Sequence, residues 1–394
     1  MQTEELKTPC YLFDEAECID RAETIKSEIA AWGGKVCFAI KANPFLVPSL
    51  LHVVDKFEVC SPGELEICRK YHVPGEKILF SGVVKTKENI EKALAYPVDV
   101  ITLESLNHWK LLKECLADSA EDDCMRCAQV KVMPRLSSGA QFGMEEAQIL
   151  QIAEEQQSMD QISVAGIHYF TGTQKKGNKY EKELETAKAL MEKLKAEYGL
   201  KDIILEYGPG FAVPYFTADD FGDPYGLIKQ FKDYVVSCNF PFRIDIELGR
   251  YIAASCGKYV TEIVDVKSAG ERNYCLVDGG IHHVNYYGSN MAMRTPIIRH
   301  VRKGESHPGS QDEETKEYMI CGSLCTFADI LVRGLELRTP EIGDRLIFEN
   351  IGAYSVTEGS YLFLSRDLPA IYLKEKNGTV RKLRDGIPAY TINS

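Results

Sequence analysis

Lys41 follows directly on an apolar run, KVCFAI at 35–40, and is itself followed by Ala-Asn-Pro. A lysine that closes a buried strand is costly unless it is paired or put to chemical use. Two readings stand side by side. One is a strand-end lysine held in a salt bridge. The other is an amine made nucleophilic by a low-dielectric setting, as in a Schiff-base lysine. Further candidates close other apolar runs. FEVCSPGELEI carries Glu58 and Ser61 past a strand and Glu64 at a helix start. AQVKVMPR ends at Arg135, and GIHYFTGTQ carries His168, Phe170 and Thr173. EYGPGF carries Gly208 and Gly210, whose missing side chains let a backbone approach an anion closely. ELGR carries Glu247, Gly249 and Arg250. Each is weak alone: a Gly-x-Gly is common, and Phe170 reads equally as core. Together they form an inventory for a phosphorylated aromatic cofactor.

Such residues need elements that bring them to one rim. Eight apolar runs recur, at 35–40, 56–60, 77–81, 98–103, 128–135, 162–170, 202–207 and 243–247. Helix-like segments lie between them at 45–55, 63–71, 87–95, 105–117, 144–156, 179–198 and 223–238. Alternating strands and helices imply parallel strands with crossover helices. Eight such units predict a (β/α)8 TIM barrel, whose active site forms where strands end and loops begin. A doubly wound open sheet is the alternative, but it would usually show a Gly-rich turn after its first strand. Past residue 250, strand-like runs at 258–267, 273–278, 317–321, 345–349 and 370–374 have little helix between them. The prediction is an α/β chain: a barrel over 25–250, and a C-terminal β-rich, mostly antiparallel domain from 1–24 plus 251–394. The polar segment 302–316 reads as a loop. In the β-rich part, CGSLCTFAD at 321–329 and ENIGAYS at 349–355 look like loops bearing Cys325 and Tyr354. Cys325 reads otherwise as a small buried apolar residue.

Composition narrows the class. With 45% hydrophobic and 26% charged residues the chain can bury a large core. A net charge of −12 argues against nucleic acid, which needs a basic face. Thirteen scattered cysteines do not make a secreted disulfide scaffold. Cys124 and Cys127 form a CxxC, but no second CxxC accompanies it, so no metal is expected. No signal peptide and no membrane span is apparent, and the expectation is a cytoplasmic enzyme without a membrane partner.

These motifs, in this order and spacing, resemble those of the fold-type III pyridoxal-phosphate decarboxylases. That group contains the diaminopimelate, ornithine, arginine and carboxynorspermidine decarboxylases. The resemblance runs from about residue 8 to about 375. It implies pyridoxal 5'-phosphate as cofactor, with Lys41 as its Schiff-base lysine and Glu247 on the pyridine nitrogen. It implies a phosphate held by Gly210, the Gly249–Arg250 turn, Thr173 and Tyr354, with Glu58, His168, Phe170 and Gly208 completing the cofactor site. It implies Cys325 as a catalytic cysteine, entering the site from the partner subunit of a homodimer with shared active sites. A positioned thiol suits proton delivery to Cα after CO2 leaves. A carboxylate on the ring nitrogen favours decarboxylation over racemisation, because it keeps the electron sink protonated.

Three positions depart from the family pattern. Phe170 stands where a histidine usually stacks on the cofactor. Gly208-Pro209-Gly210 replaces three glycines. Thr326 follows the cysteine where an acid usually receives the substrate's distal ammonium, and a neutral hydroxyl pairs poorly with a buried cation. HYFTGTQ, DGGIHH at 278–283 and GSLCT at 322–326 are similar to the butirosin-type subgroup, which acts on a carrier-protein-linked glutamyl unit. Two substrate classes stay open: a free diamino acid, or an acylated or carrier-linked amino acid. Arg135, Thr326 and Asp329 are the candidate substrate contacts. A racemase of the same fold and a non-catalytic regulatory homologue are the alternatives to a decarboxylase.

Overall fold

The structure is a computed structural model describing residues 5–118, 129–285, 293–304 and 315–394. Cys124 and Cys127, and residues 305–314 of the expected polar loop, lie outside the described residues. The chain divides into two compact units. One comprises Arg21–Ala212 and Asp223–Tyr251; the other comprises Met1–Asp20, Val213–Gly222 and Ile252–Ser394.

After β1 (Cys10–Asp14) and α1 (Glu15–Ile29), strands and helices alternate. They are β2 (Val36–Ala39), α2 (Val47–Leu50), β3 (Lys56–Val59), α3 (Pro62–Lys70), β4 (Ile78–Phe80), α4 (Lys87–Ala95), β5 (Val100–Leu103) and α5 (Leu106–Asp118). There follow β6 (Val130–Leu136), α6 (Glu146–Gln156), β7 (Ile162–Val164), β8 (Gly166–Phe170), α7 (Tyr180–Tyr198), β9 (Ile204–Gly208), α8 (Gly226–Ser237), β10 (Arg243–Leu248) and α9 (Arg250–Ala253). The sheet runs β5-β4-β3-β2-β10-β9-β8-β6, and a β5–β6 pairing closes it into a parallel barrel. Strands such as VCFA, ILF and VITL are buried along their whole length, as expected when helices cover a parallel sheet. Local signals set the helix ends. Ser61 Oγ accepts the Glu64 amide at 3.1 Å to cap α3, and Thr86 with Asn89 forms a capping box on α4. α7 stops at Gly199, in the left-handed conformation.

Two elements differ from the sequence expectation. The run 162–170 breaks into β7 and β8 at Gly166, which has φ 151° and whose absent Cβ would meet the Ile204 carbonyl oxygen at 1.8 Å. The helix expected over 45–55 is a single turn at Val47–Leu50. Pro44 and Pro48 each lack a donor and disfavour helix in the residue before them.

The second unit is a sheet ordered β15-β14-β12-β11-β1-β17-β18, with β16 paired to β11 and β13 to β16. Its later strands are β11 (Gly257–Ala269), β12 (Arg272–Val277), β13 (Ile298–Val301), β14 (Thr315–Cys321), β15 (Ile330–Arg338), β16 (Arg345–Phe348), β17 (Ala370–Lys374) and β18 (Val380–Arg384). A short α10 (Ser355–Glu358) lies between β16 and β17. Pairing is mostly antiparallel; β1–β17 and β12–β14 run parallel. Cys10 and Leu12 of β1 pack with Val260, Ile347, Ala370 and Tyr372 in the core of this unit. The sequence reading did not list β1, β13, β15 or β18. β15 is interrupted by Arg333 and Gly334, and β18 (VRKLR) is an edge strand whose charges mask its period.

Candidate active site

Alternate residues of a strand face opposite sides of the sheet. In β9, Tyr207 points outward and stacks on Phe231 of α8 with centroids 5.9 Å apart. Its neighbour Glu206 therefore points into the barrel. By the same alternation Lys56 and Glu58 of β3, His168 of β8, and Asp245 and Glu247 of β10 line the lumen, and all are buried. A charged lumen must satisfy itself.

Lys41 sits just past β2, in the turn Ile40–Ala42. Its Nζ is 2.6 Å from Glu58 Oε2 and 3.7 Å from Glu247 Oε1. Lys41 also donates to Cys60 Sγ at 3.4 Å, and that thiol donates to Glu58 Oε1 at 3.0 Å. The Lys41 side chain is 38% exposed, against 2% for Glu58 and 6% for Glu247. The amine is thus the part of this cluster that faces the opening. His168 Nε2 lies 2.9 Å from Glu247 Oε2. Burial pushes the Glu247 carboxyl up, but the Lys41 ammonium and the hydrogen bond with His168 outweigh it and hold Glu247 well below the usual carboxylate range. Burial pushes the Cys60 thiol well up, so it stays neutral.

Next to this cluster, Arg135 Nη1 pairs with Glu104 Oε1 at 2.7 Å, and Glu104 Oε2 accepts the Gly143 amide at 3.0 Å. Burial raises Glu104, and Arg135 more than reverses that shift. The Arg135 guanidinium lies 4.9 Å from the Phe142 ring centroid and 6.0 Å from that of Phe170. The Phe170 ring packs against Gly208, where a Cβ would fall 2.5 Å from Phe170 Cδ2. Gly210 has φ 59°, and a Cβ there would meet the Gly172 carbonyl oxygen at 1.9 Å. The Lys175 amide donates to the Gly210 carbonyl at 2.9 Å, and the Ala212 amide to the Lys175 carbonyl at 3.1 Å. The loops carrying Thr173 and Gly210 are thereby zipped together, and only glycine fits the crossing. Gly249 and Arg250 follow β10 directly.

The barrel structure thus brings together Lys41, Glu58, Arg135, His168, Phe170, Thr173, Gly208, Gly210, Glu247, Gly249 and Arg250. Ser61 and Glu64 cap α3 locally, Glu64 Oε2 accepting the Cys60 amide at 2.6 Å. The sequence reading missed Cys60, Glu104, Lys56, Glu206 and Asp245. It also missed Lys85, a buried amine that donates to the Gly82 carbonyl at 2.6 Å and that burial lowers to about 8. The available signal was charge at alternate positions in KFEV, ILEYG and RIDIEL, which on an open sheet would mean a solvent face.

In the β-rich unit the predicted residues lie on loops. Cys325, Thr326 and Phe327 are exposed. Asp329 is buried; its Oδ1 accepts the Ile281 amide at 2.8 Å and its Oδ2 the Leu324 amide at 2.7 Å. The Ser323 amide donates to the Gly279 carbonyl at 2.7 Å. Asp329 therefore straps the DGGIHH turn to the cysteine loop. Tyr354 has φ 67°, a conformation non-glycine residues seldom adopt and one that concentrates at functional sites.

A closed parallel barrel whose mouth offers a half-exposed amine between two carboxylates, a planar ring and a glycine cradle fits an aldehyde-bearing, phosphorylated aromatic cofactor. That defines the class as a pyridoxal-phosphate enzyme. Residues 15–254 match the family described as pyridoxal-dependent decarboxylase, pyridoxal binding domain. The chain is 28% identical to L-glutamyl-[BtrI acyl-carrier protein] decarboxylase of Niallia circulans, over 97% of this chain and 92% of the relative. It is 25% identical to diaminopimelate decarboxylase of Aquifex aeolicus, over 96% and 89%. The crystal structure of Helicobacter pylori diaminopimelate decarboxylase complexed with L-lysine superposes with TM-score 0.85 at 19% identity, covering 99% of this chain and 96% of that one. The chain belongs to the pyridoxal-dependent decarboxylases. It is a carboxy-lyase acting on an amino acid, and its cofactor is pyridoxal phosphate. Among the described residues no helix is long and apolar enough to cross a membrane.

Proposed function

We propose that this enzyme removes the α-carboxylate of an amino acid whose distal end is acylated or carrier-linked. The observation that carries the site is Lys41 Nζ, held 2.6 Å from Glu58 and 3.7 Å from Glu247 with its amine toward the opening. When bound, pyridoxal phosphate supplies the electron sink for the pair of electrons left at Cα as CO2 departs. Lys41 tethers the cofactor. Glu247, kept anionic by its neighbours, holds a proton on the ring nitrogen. Phe170 supplies a flat face for the ring, packed from behind by Gly208. Gly210, Thr173, the Gly249–Arg250 turn and Tyr354 hold the phosphate. Cys325 returns a proton to Cα, and it does so from a second copy of the chain, which makes the working unit a homodimer. The exposure of Cys325 and of the neighbouring Phe327 ring supports this, since both are open to a second copy. The enzyme works in the cytoplasm.

The substrate reading rests on the distal end. Thr326 offers no charge, and both oxygens of Asp329 already accept backbone amides. A free ammonium would find no dedicated acid on this loop. The relative named for a carrier-bound glutamyl substrate points the same way. The test is CO2 release by purified protein with added pyridoxal phosphate. The panel is meso-diaminopimelate, lysine, ornithine, arginine, carboxynorspermidine, and glutamate loaded on a carrier protein. Turnover confined to the tethered substrate is expected. Efficient turnover of a free diamino acid would overturn the substrate class and leave the reaction standing.

A further inference from the structure

Glu206 is a lumen carboxyl that makes no contacting ion pair among the described residues, Lys56 being the one opposing charge that acts on it from further away. It is 0% exposed, and neither carboxyl oxygen has a hydrogen-bond partner among the described residues. The other lumen acids are provided for. Glu58 and Glu247 share Lys41. Lys56 Nζ lies 3.3 Å from Asp99 Oδ2 and 3.9 Å from Asp245 Oδ2. Asp99 also holds Lys131 at 2.8 Å, and Asp245 accepts from Arg243 Nη2 at 3.2 Å and from the Lys35 amide at 3.1 Å. A buried carboxylate that no cation or donor contacts is costly, which favours keeping the proton. Burial indeed raises Glu206 to about 8, only partly offset by Lys56 and reinforced by Asp245, Glu247 and Glu58.

A second buried polar atom next to it is also unmatched. In the parallel pairing of β8 and β9, Glu206 stands directly beside His168, and the outward Tyr169 and Tyr207 confirm that both point inward. Adjacent strands are about 4.8 Å apart. His168 Nε2 bonds Glu247, whereas His168 Nδ1 is buried with no partner. A carboxylate at Glu247 requires a proton on Nε2, which leaves a lone pair on Nδ1 of neutral imidazole. A protonated Glu206 is the donor that lone pair lacks.

We propose that Glu206 is a positioning residue: as a neutral carboxylic acid it donates to His168 Nδ1, directly or through one buried water, and so holds Nε2–H on Glu247. The resulting chain runs from the Glu206 hydroxyl to imidazole to the Glu247 carboxylate, and it fixes the charge that Glu247 presents to the cofactor. One bridging water suits a site with three unmatched polar atoms. The groups facing Glu206 are His168 on β8, Asp245 and Glu247 on β10, Lys56 and Glu58 on β3, and Cys37 on β2, whose thiol burial holds neutral. Loss of the Glu206 proton at alkaline pH sets a carboxylate against the Nδ1 lone pair and breaks the chain. This rests on the reading of Glu247 as the residue on the ring nitrogen.

The test begins without cofactor. Infrared spectra of protein carrying 13C-labelled glutamate are expected to show the carbonyl stretch of a buried, protonated glutamic acid at neutral pH. That band should fade as pH rises through about 8 and be absent from Glu206→Gln. No such band in the unsubstituted protein at neutral pH overturns the proposal, whatever the variants do. With cofactor, Glu206→Gln, which can still donate to Nδ1, is expected to keep neutral-pH kcat within about threefold. It should lose the alkaline change in visible absorbance that Glu206 imposes. Glu206→Met, which fills the space without a donor, is expected to lose about tenfold or more in kcat with KM little changed. An unaltered alkaline transition in Glu206→Gln overturns the proposal. Failure of the cofactor-site reading would appear separately, as normal cofactor binding in Lys41→Ala.

Discussion

The barrel lumen and the cysteine loop of the β-rich unit place reactive groups in opposite ways. In the barrel, acids and bases stand on strands or just past their ends, most of them buried, and are locked by short ion pairs such as Lys41–Glu58 and Arg135–Glu104. On the loop at 322–328, Cys325 and Thr326 are exposed, and the Asp329 carboxylate straps the loop from beneath. Burial lets the lumen set protonation states: Glu247 is driven down and Glu206 up, only two strand positions and one neighbouring strand apart. The two regions thus differ in kind: the barrel fixes charge by burial, whereas the loop presents its side chains to solvent.

That contrast can be broken most sharply at Lys41. Lys41→Ala is expected to abolish the cofactor's protein-bound visible absorbance and nearly all CO2 release, and turnover near the unsubstituted level would remove its assignment. At the loop, Cys325→Ala is expected to cost about 10²–10⁴-fold in turnover, the range for losing a positioned general acid, while cofactor absorbance stays normal. A cofactor-free spectrum of that variant would count against a role confined to proton delivery. In the lumen, Glu247→Gln should keep the fold and slow CO2 release by about 10²–10³-fold, the scale for removing one preorganised electrostatic contact. A rate unchanged within error would mean that Glu247 does not act on the ring nitrogen.

Two smaller effects separate the regions by stability. Asp329→Ala leaves two buried amides without acceptors and is expected to lower unfolding free energy by about 2–4 kcal/mol, measured by urea titration. A change under about 0.5 kcal/mol would show that the strap does not order the loop. For Glu206 the sign follows from proton binding. The folded state keeps its proton up to about 8, whereas the unfolded chain releases it near 4.5. The folded state therefore holds more protons across that window, and this group's contribution falls as pH rises through it. Glu206→Gln is expected to flatten the loss of stability between pH 5 and 8; an identical slope in both proteins would mean Glu206 ionises normally.

Much of this was legible in the residues. FAIKANP, EYGPGF and ELGR name a lysine, a glycine turn and a carboxylate–arginine pair, and each ends an apolar run of strand length. Other features were not. Lys56, Glu206 and Asp245 sit in strands whose alternation of charge and apolar side chains is the ordinary signature of a solvent-facing sheet. Closure of the barrel by the β5–β6 pairing turns that face into a lumen. Asp329 looked available to a substrate cation until the fold set the Ile281 and Leu324 amides on its two oxygens.

The sequence alone determined the parallel alternation, because hydrophobic period and capping residues act within a dozen neighbours. It likewise determined the chemistry-bearing types at the strand ends. Only the tertiary structure decided their protonation. The burial of Glu247 in contact with Lys41 and His168, and of Glu206 with no hydrogen-bond partner on either oxygen among the described residues, arises from pairings between strands far apart in the chain. A carboxylate's charge depends on the dielectric and the neighbours that only those pairings provide.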